Sequence, residues 1–407
     1  MKYLVLPLLL TLFVFAQAFG QTPVPVQLFA FSCQGSGQLK SCPNGGNPDR
    51  VIQASDGNFY GLSLASSVGT SNPQGGSLFK ITPGGQFTLL HTFRPGVNKN
   101  FPGGTQPGEM VEGADGNLYG TTVFGGTHSA GVLFRIAKNG AGFRVLHTFC
   151  SAAGCADGSN PVGVTAATDG NIYGVTATGG SNSGCPLSNG CGTIFKVTVA
   201  TGSFRVIHSL GGPTEGFQPT RFIQASDGNF YGSDEGFNTD GNVYKVTPAG
   251  RFSIVTHIEQ LSIPLTPLTQ GTNGNLFGLT TPAFRSIQAL FEVGLDGSNF
   301  QTFPDITLSN SLNGSRLLLA SDGNFWSTQG NGGQSNDGTI VQVSANDGSV
   351  LQTISFSGTN GAFPQSELIQ AADGSLVGAT FGGGTVSQGV PDGVVFTLDA
   401  NLPPPIH

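Results

Sequence analysis

Short apolar segments alternate with turn residues along most of the chain. One example runs from "RVIQA" (50–54) through an Asp-Gly-Asn turn to "FYGLS" (59–63), and then to "SLFKIT" (77–82) and "QFTLLHTF" (86–93). None of these segments has the 3.6-residue period of an amphipathic helix, whereas their lengths and bounding turns are typical of strands. Glycine accepts positive φ, and Asp or Asn side chains bond local backbone donors, so the motif predicts a tight hairpin turn. The pattern therefore predicts a four-stranded antiparallel meander.

This meander recurs along the chain, and the stretch "QASDGNFYG" is written twice without change, at Gln53–Gly61 and Gln224–Gly232. A single four-stranded sheet cannot bury both of its faces, but sheets arranged radially pack face against face and leave only short edges. The competing arrangement is a linear array. The motif or a close variant marks seven units, at Asp56, Asp115, Asp169, Asp227, Asn273, Asp322 and Asp373.

The two ends of the chain favour a closed ring. The seventh unit has a third segment at "VVFTL" (394–398) but no fourth, while "QLFAF" (27–31) near the start matches the segments that end other units. We therefore predict an all-β, seven-bladed β-propeller in which an N-terminal strand completes the last blade. The predicted propeller covers residues 21–403, with a tail at 404–407 and blades near 48–93, 105–149, 159–210, 217–258, 264–303, 314–356, and 363–398 plus 26–31.

Residues 1–20 have the features of a secretory signal peptide. Lys2 precedes an apolar run from Leu4 to Phe15, and small residues follow at Ala16 and Ala18. No later segment approaches the roughly 20 apolar residues that a spanning helix needs. We expect a secreted, soluble protein without a membrane span in the mature chain.

Charged residues make up 10% of the chain, against about 25% in an average globular protein. The net charge is −7, and no dense basic tract occurs. We therefore expect no nucleic-acid partner, because the phosphates of nucleic acid require a cationic surface.

The six cysteines form three close couples, which suits an oxidising compartment. The alternative is a metal site, but the spacings are not C-x-x-C and no histidine cluster accompanies them. We predict disulfides between Cys33 and Cys42, Cys150 and Cys155, and Cys185 and Cys191.

The motifs "ASDGNFYG…LFKITPGG…LLHTF", "GADGNLYGTTVFGG" (113–126) and "ATDGNIYGVTATGG" (167–180) resemble the GloVer tandem repeat. The resemblance covers Gln27 to about Leu402. It implies export and a repeat architecture, but no activity, because the family's function is uncharacterised. Members join the repeat to one of several C-terminal anchors. This chain ends soon after its last repeat, so surface attachment is not carried over to it.

Equivalent positions that differ between units are the candidates for function, because positions shared by all units serve the fold. The first strand of a propeller blade lines the central channel. Five of the seven units carry a charged residue six positions before the turn: Arg50, Glu109, Arg221, Arg316 and Glu367. We predict that these five residues form a ligand site at the channel mouth. Three residues before the turn lies a polar layer that lines the channel: Gln53, Glu112, Gln224, Gln270 and Gln370. Arginine forks and carboxylates suit an anionic or hydroxyl-rich ligand. The alternative is that the charges pair with each other and fill the channel.

The long loops at 94–106, 150–161 and 179–192 are a second candidate surface, because recognition often lies on loops held by a rigid scaffold. Their Gly, Ser and Asn content is equally compatible with inert linkers. His91, His147 and His208 share one position in their units, so we interpret them as half-buried structural side chains bonded to a neighbouring blade. His128, in a glycine-rich loop, is the one histidine that stands apart as a candidate.

No sequence motif of an established catalytic site occurs, and one hairpin turn offers too few oxygens for a calcium site. We expect no cofactor, no metal and no catalytic residues. The leading hypothesis is a secreted, monomeric, non-enzymatic binding module or scaffold for a carbohydrate or protein partner. The alternatives are a polysaccharide lyase or glycoside hydrolase that uses Glu109 or Glu367 as acid or base, and a structural envelope component.

Overall fold

The computed structural model describes residues 23–35, 41–65, 75–94, 101–182, 184–185, 187–211, 215–235, 241–258, 262–264, 266–282, 289–303 and 316–405. The predicted signal peptide and His407 lie outside these residues. Within them, the structure has no helix that is long and apolar enough to cross a membrane.

The chain folds into seven antiparallel sheets arranged in a ring, which confirms the predicted β-propeller. Blades 1 to 6 are each formed from consecutive strands, and in each blade the first strand after the preceding blade lies nearest the central channel. Blade 1 contains β2 (Gly46–Gln53), β3 (Phe59–Ala65), β4 (Ser77–Ile81) and β5 (Phe87–Thr92). Blade 2 contains β6 (Thr105–Glu112), β7 (Leu118–Phe124), β8 (Val132–Ile136) and β9 (Arg144–Thr148). Blade 3 contains β10 (Ser159–Ala166), β11 (Ile172–Thr178), β12 (Thr193–Thr198) and β13 (Ser203–Ser209).

The remaining blades follow the same order, with shorter inner strands. Blade 4 contains β14 (Ile223–Gln224), β15 (Phe230–Glu235), β16 (Gly241–Val246) and β17 (Phe252–Ile258). Blade 5 contains β18 (Ser262–Pro264) and β19 (Thr269–Gln270), which both pair with β20 (Leu276–Pro282), followed by β21 (Ala289–Val293) and β22 (Gln301–Phe303). Blade 6 contains β23 (Leu318–Leu319), β24 (Phe325–Gln329), β25 (Thr339–Val343) and β26 (Val350–Ser355). Blade 7 contains β27 (Ile369–Gln370), β28 (Leu376–Thr380) and β29 (Val390–Leu398).

The N-terminal strand β1 (Val26–Cys33) closes the ring as the outermost strand of blade 7. It pairs antiparallel with β29, and its register places Phe29 opposite Val395 and Ala30 opposite Val394. The Phe29 ring also stacks on Phe87 of blade 1, with 4.3 Å between the ring centroids. The first and last strands of the chain therefore pair in one blade, as the split seventh unit predicted.

The core lies between blades rather than at one centre. For example, Tyr60 and Leu78 of blade 1 pack with Met110 and Phe134 of blade 2, and all four are buried. Each blade therefore buries its faces against its two neighbours, and the ring arrangement stabilises every sheet in it.

The Asp-Gly-Asn turns are stabilised by their own side chains. The Asp56 carboxylate accepts hydrogen bonds from the Asn58 backbone N–H (3.2 Å) and from the Tyr60 hydroxyl (2.9 Å), and the same bonds recur in blades 2, 3 and 4. In blade 6, Trp326 Nε1 donates to Asp322 instead of a tyrosine hydroxyl. The turn aspartates thus have the capping role expected from the sequence.

Blade 5 forms the same turn with a neutral turn residue and with a carboxylate in place of the cation. Blades 1 to 4 place Lys80, Arg135, Lys196 and Lys245 of the third strand within 4 Å of the turn aspartate. In blade 5 the turn residue is Asn273, and Glu292 occupies the place of the cation. The Glu292 carboxylate accepts from the side-chain amides of Asn273 (2.7 Å) and Asn275 (2.6 Å).

Candidate functional site

Four of the five charged residues predicted at the channel mouth form a closed ring of ion pairs, here called the charged ring. Arg50 contacts Glu109 (Nη2 to Oε1, 3.2 Å) and Glu367 (Nη1 to Oε1, 2.9 Å). Arg221 contacts Glu109 (Nη1 to Oε2, 2.6 Å) and Glu367 (Nη2 to Oε2, 2.5 Å). Since each guanidinium lies between two carboxylates and each carboxylate between two guanidinium groups, the four charges compensate one another.

A glycine makes this pairing possible. Arg221 belongs to blade 4 and Glu109 to blade 2, and between them lies Gly163 of blade 3 at the equivalent position. A Cβ atom on Gly163 would lie 2.5 Å from Arg221 Cγ and 2.7 Å from its Cβ, closer than such contacts allow. The missing side chain in blade 3 therefore lets Arg221 lie across that blade and reach the opposite carboxylates.

The charged ring perturbs the pKa of each of its members. Burial raises the pKa of Glu109 and outweighs the opposing effect of Arg221 and Arg50. Burial also acts on Glu367, but Arg221, Arg50 and Arg316 together lower its pKa to about 2. Asp49 approaches Arg50 Nε at 3.5 Å, and burial raises its pKa.

Arg316, the fifth predicted residue, lies at the same level but outside the charged ring. Its Nε donates to the Thr269 hydroxyl at 3.2 Å, and within the described residues no carboxylate lies within 4 Å of its guanidinium. Burial and the like charge of Arg221 lower the pKa of Arg316 to about 10, against the attraction of Glu367 and Glu109. Among the described residues, Arg316 is thus a cation without a counter-charge of its own.

Below this level the channel contains a layer of apolar side chains that the sequence analysis missed. It lies four residues before each turn, and comparison of that position across the seven units would have revealed it. The position holds Ile52, Val111, Thr165, Ile223, Thr269, Leu318 and Ile369. Six of these residues, together with the charged groups, line a central cavity of about 590 Å³.

The glutamines predicted to line the channel lie at the far end of this cavity, and their amides join neighbouring blades. Gln53 Nε2 donates to the carbonyl of Gly57 in its own turn (3.0 Å), and its Oε1 accepts from the Ala372 N–H in the turn of blade 7 (2.8 Å). The same two bonds are made by Gln224, Gln270 and Gln370. Glu112 replaces the amide in blade 2 and accepts from Ser55 and Lys138.

The C-terminal segment also reaches this end of the channel. The Pro403 carbonyl accepts hydrogen bonds from Ser321 Oγ (2.5 Å) and Gln370 Nε2 (3.0 Å). Pro405 contributes to the lining of the central cavity. The amide layer therefore bonds to the turns of its own and neighbouring blades and, at Gln370, to the C-terminal segment.

Two of the long loops nominated from the sequence come together on blade 3 and enclose a cleft, here called the blade-3 cleft. Cys155 O accepts from the Gly180 N–H at 2.9 Å, which ties the loop before β10 to the loop after β11. The cleft has a volume of about 580 Å³. None of the described residues that line it is charged: Gly154, Cys155, Ser159, Asn160, Thr178, Gly180, Asn182, Cys185, Leu187, Ser188, Asn189 and Gly190. The third nominated loop, 94–106, lies partly outside the described residues.

All three predicted disulfides are present, and two of them border the blade-3 cleft. Cys150–Cys155 closes a turn in the loop before β10, and Cys185–Cys191 closes the loop between β11 and β12. Cys33–Cys42 joins β1 to the segment before β2 and is buried. Disulfides restrict the loops that form the cleft.

The three histidines at one repeat position pack against the next blade, as expected of structural residues. His91 stacks on Phe143 (3.8 Å between centroids), His147 on Phe204 (3.6 Å) and His208 on Phe252 (4.6 Å). Burial lowers the pKa of His91 to about 4, and the charge of Arg94 adds to this effect. His128 is exposed in its loop.

Solved structures share the architecture at low sequence identity. The extracellular domain of a B. thetaiotaomicron protein assigned as a hybrid two-component system is 12% identical, with a TM-score of 0.56 over 95% of this chain and 44% of that one. Hydrazine synthase of Kuenenia stuttgartiensis is 13% identical (TM-score 0.56; 83% and 93% covered). A Bacteroides uniformis protein assigned as a 6-phosphogluconolactonase is 15% identical (TM-score 0.51; 83% and 97% covered). At such identities the likeness shows the fold alone.

No curated protein matches the chain. The family model of the Gloeobacter/Verrucomicrobia repeat, in contrast, matches residues 36–188, 155–288 and 233–402. The matches overlap and together span residues 36–402, which include all seven blades. The chain therefore belongs to the Gloeobacter/Verrucomicrobia repeat family, which confirms the resemblance drawn from its turn and strand motifs.

Proposed function

We propose that this protein is an exported, non-catalytic propeller module that binds a carbohydrate in the blade-3 cleft. The observation that carries the proposal is the chemistry of the cleft lining. The volume of about 580 Å³ is lined by side-chain amides and hydroxyls, and by no charged group among the described residues: Asn160, Asn182, Asn189, Ser159 and Ser188 supply these amides and hydroxyls. Neutral donors and acceptors of this kind match the hydroxyl groups of a sugar.

The two disulfides at the cleft support the same proposal. A loop that is ordered before binding loses less conformational entropy when the ligand arrives. Cys150–Cys155 and Cys185–Cys191 restrict the two loops that form the cleft walls. Stable disulfides also occur mainly in exported proteins, which agrees with the predicted signal peptide.

The charged ring supports a non-catalytic role. An acid or base for glycoside cleavage must be free to exchange a proton with the substrate. Glu109 and Glu367 are each contacted by both Arg50 and Arg221. A substrate would have to break at least one of these ion pairs before either carboxylate could act, so the enzymatic alternative is the weaker proposal.

The test is a glycan array with the purified protein, followed by calorimetric titration of the best ligand. Ser188 and Asn189 are exposed, and no hydrogen bond of either side chain occurs within the described residues. We expect the double variant Ser188→Ala, Asn189→Ala to bind the ligand at least 10-fold more weakly, with an unchanged unfolding midpoint. The matched control is Thr353→Ala, which removes an exposed hydroxyl from the outer strand of blade 6.

Several outcomes would contradict the proposal. Glycan binding that is unchanged in the double variant would place the site elsewhere. If the purified protein binds another protein but no glycan, its partner is a protein and not a carbohydrate. Turnover of a polysaccharide that disappears in Glu109→Gln would favour the enzyme.

A further inference from the structure

We propose that the central cavity is a second binding site, in which Arg316 holds the acid group of a small amphiphilic carboxylate. The apolar layer below Arg316 would contain the hydrocarbon part of the ligand. This site is separate from the blade-3 cleft, and it goes beyond the proposed function because neither site depends on the other.

The first argument is the distribution of charge. Of the residues that the structure describes, three arginines line the cavity but only two residues with carboxylates do so, and both of these carboxylates belong to the charged ring. Asp49 approaches Arg50 and does not contribute to the cavity lining. An anion beside Arg316 would supply the missing counter-charge, since a half-buried cation is stabilised by a nearby opposite charge.

The second argument is the set of donors that Arg316 has available. A guanidinium group presents five N–H donors, and its fork fits the two oxygens of a carboxylate. Only Nε is occupied, by the Thr269 hydroxyl, which in turn donates to the Leu317 carbonyl at 2.5 Å. This contact orients the side chain, and within the described residues neither terminal nitrogen of Arg316 has a hydrogen-bond partner.

The third argument is the apolar layer, which distinguishes an organic acid from an inorganic anion. Aliphatic side chains of Ile52, Val111, Ile223, Leu318 and Ile369 line the cavity next to the charged level. A phosphate or sulfate ion would leave this surface without a partner, whereas a carboxylate with an apolar body would cover it. The volume of about 590 Å³ is in the range of sites for small organic molecules.

Calorimetric titration of the purified protein tests this site with two pairs of probes of similar shape. Hexanoate and 3-phenylpropionate are the acids, and 1-hexanol and 3-phenylpropanol are their neutral counterparts. Inorganic phosphate is the third probe, and the buffer contains neither carboxylate nor phosphate. We expect at least one acid to bind, and its alcohol and phosphate to bind at least 10-fold more weakly.

Variants of Arg316 show whether that residue is responsible. Arg316→Met should reduce the affinity for the acid to that for the alcohol, and Arg316→Lys, which keeps the charge but not the fork, should give an intermediate affinity. The matched control is Arg205→Met, which removes an exposed arginine from the outer strand of blade 3. Circular dichroism and the unfolding midpoint verify that each variant is folded.

The proposal is overturned if neither acid binds, if the alcohols bind as tightly as the acids, or if Arg316→Met binds the acid as tightly as the original protein. Equal affinity for phosphate and for the organic acid would overturn the ligand class. If Arg316→Met fails to fold, an unchanged affinity in Arg316→Lys overturns the role of the guanidinium fork.

Discussion

Arg221 of blade 4 and Glu109 of blade 2 form an ion pair of 2.6 Å that passes over Gly163 of the intervening blade. The pair joins two blades that are not neighbours in the ring. It exists because blade 3 lacks a side chain at a position where five other blades carry a charged residue and blade 5 carries Pro267. The arrangement of the channel mouth therefore depends on a difference between repeats.

Replacement of Gly163 should disturb this pair without altering any charge. In Gly163→Ala the new Cβ atom meets the stem of Arg221, and this stem must move away from Glu109 and Glu367. We expect a loss of about 2 to 4 kcal/mol in the free energy of unfolding, because a buried ion pair is weakened. Urea unfolding measures this loss. Gly84→Ala is the control, since its Cβ would make only an ordinary contact, and an equal effect in both variants would refute the explanation.

The charged ring should show strong coupling between its members. Glu109→Gln leaves two buried guanidinium groups short of a counter-charge and should cost about 3 to 5 kcal/mol. Adding Arg221→Met removes one of these cations, so the double variant should be more stable than the sum of the single effects predicts. A double-mutant cycle by urea unfolding measures the coupling. If the losses of unfolding free energy in the two single variants simply add up in the double variant, the members of the charged ring do not stabilise one another.

Acid should weaken the contact between blades 1 and 2 through His91. Burial lowers its pKa in the folded protein to about 4, below its ordinary value of 6.5, so the unfolded chain binds the proton more readily. The contribution of the neutral ring is fully present above pH 6.5 and is lost as the pH falls towards 4. Urea midpoints at pH 7 and pH 4.5 should therefore differ less in His91→Phe, which keeps the stacking on Phe143. An identical pH dependence in both proteins would contradict this role.

The presence of Asn273 and Glu292 in place of the turn aspartate and its cation predicts a compensating pair of substitutions in blade 5. Asn273→Asp alone places a second carboxylate beside Glu292 and should cost about 1 kcal/mol, since an attractive contact becomes repulsive. Adding Glu292→Lys recreates the arrangement of blades 1, 3 and 4 and should restore most of the stability. Thermal unfolding of the original protein and both variants measures the loss and the recovery of stability. No recovery in the double variant would show that the turn of blade 5 depends on other contacts.

The sequence by itself determined the features that depend on local contacts or on repetition. Five Asp-Gly-Asn turns and two close variants, at Asn273 and Asp373, fixed the number of blades, because the first residue of each turn bonds to the backbone two positions later. The closure of the ring was also predictable, because the seventh unit ends with its third segment at Val394–Leu398 and an extra segment lies at 27–31. The disulfides followed from cysteines that are 9, 5 and 6 residues apart.

Only the tertiary structure decided which charges meet in the channel. Arg50, Glu109, Arg221, Arg316 and Glu367 are equivalent in sequence, yet four of them neutralise each other and Arg316 does not. The partner of each side chain depends on the space left by other blades, as Gly163 shows for Arg221. That space arises where seven separate parts of the chain converge, and no local pattern in any one repeat records it.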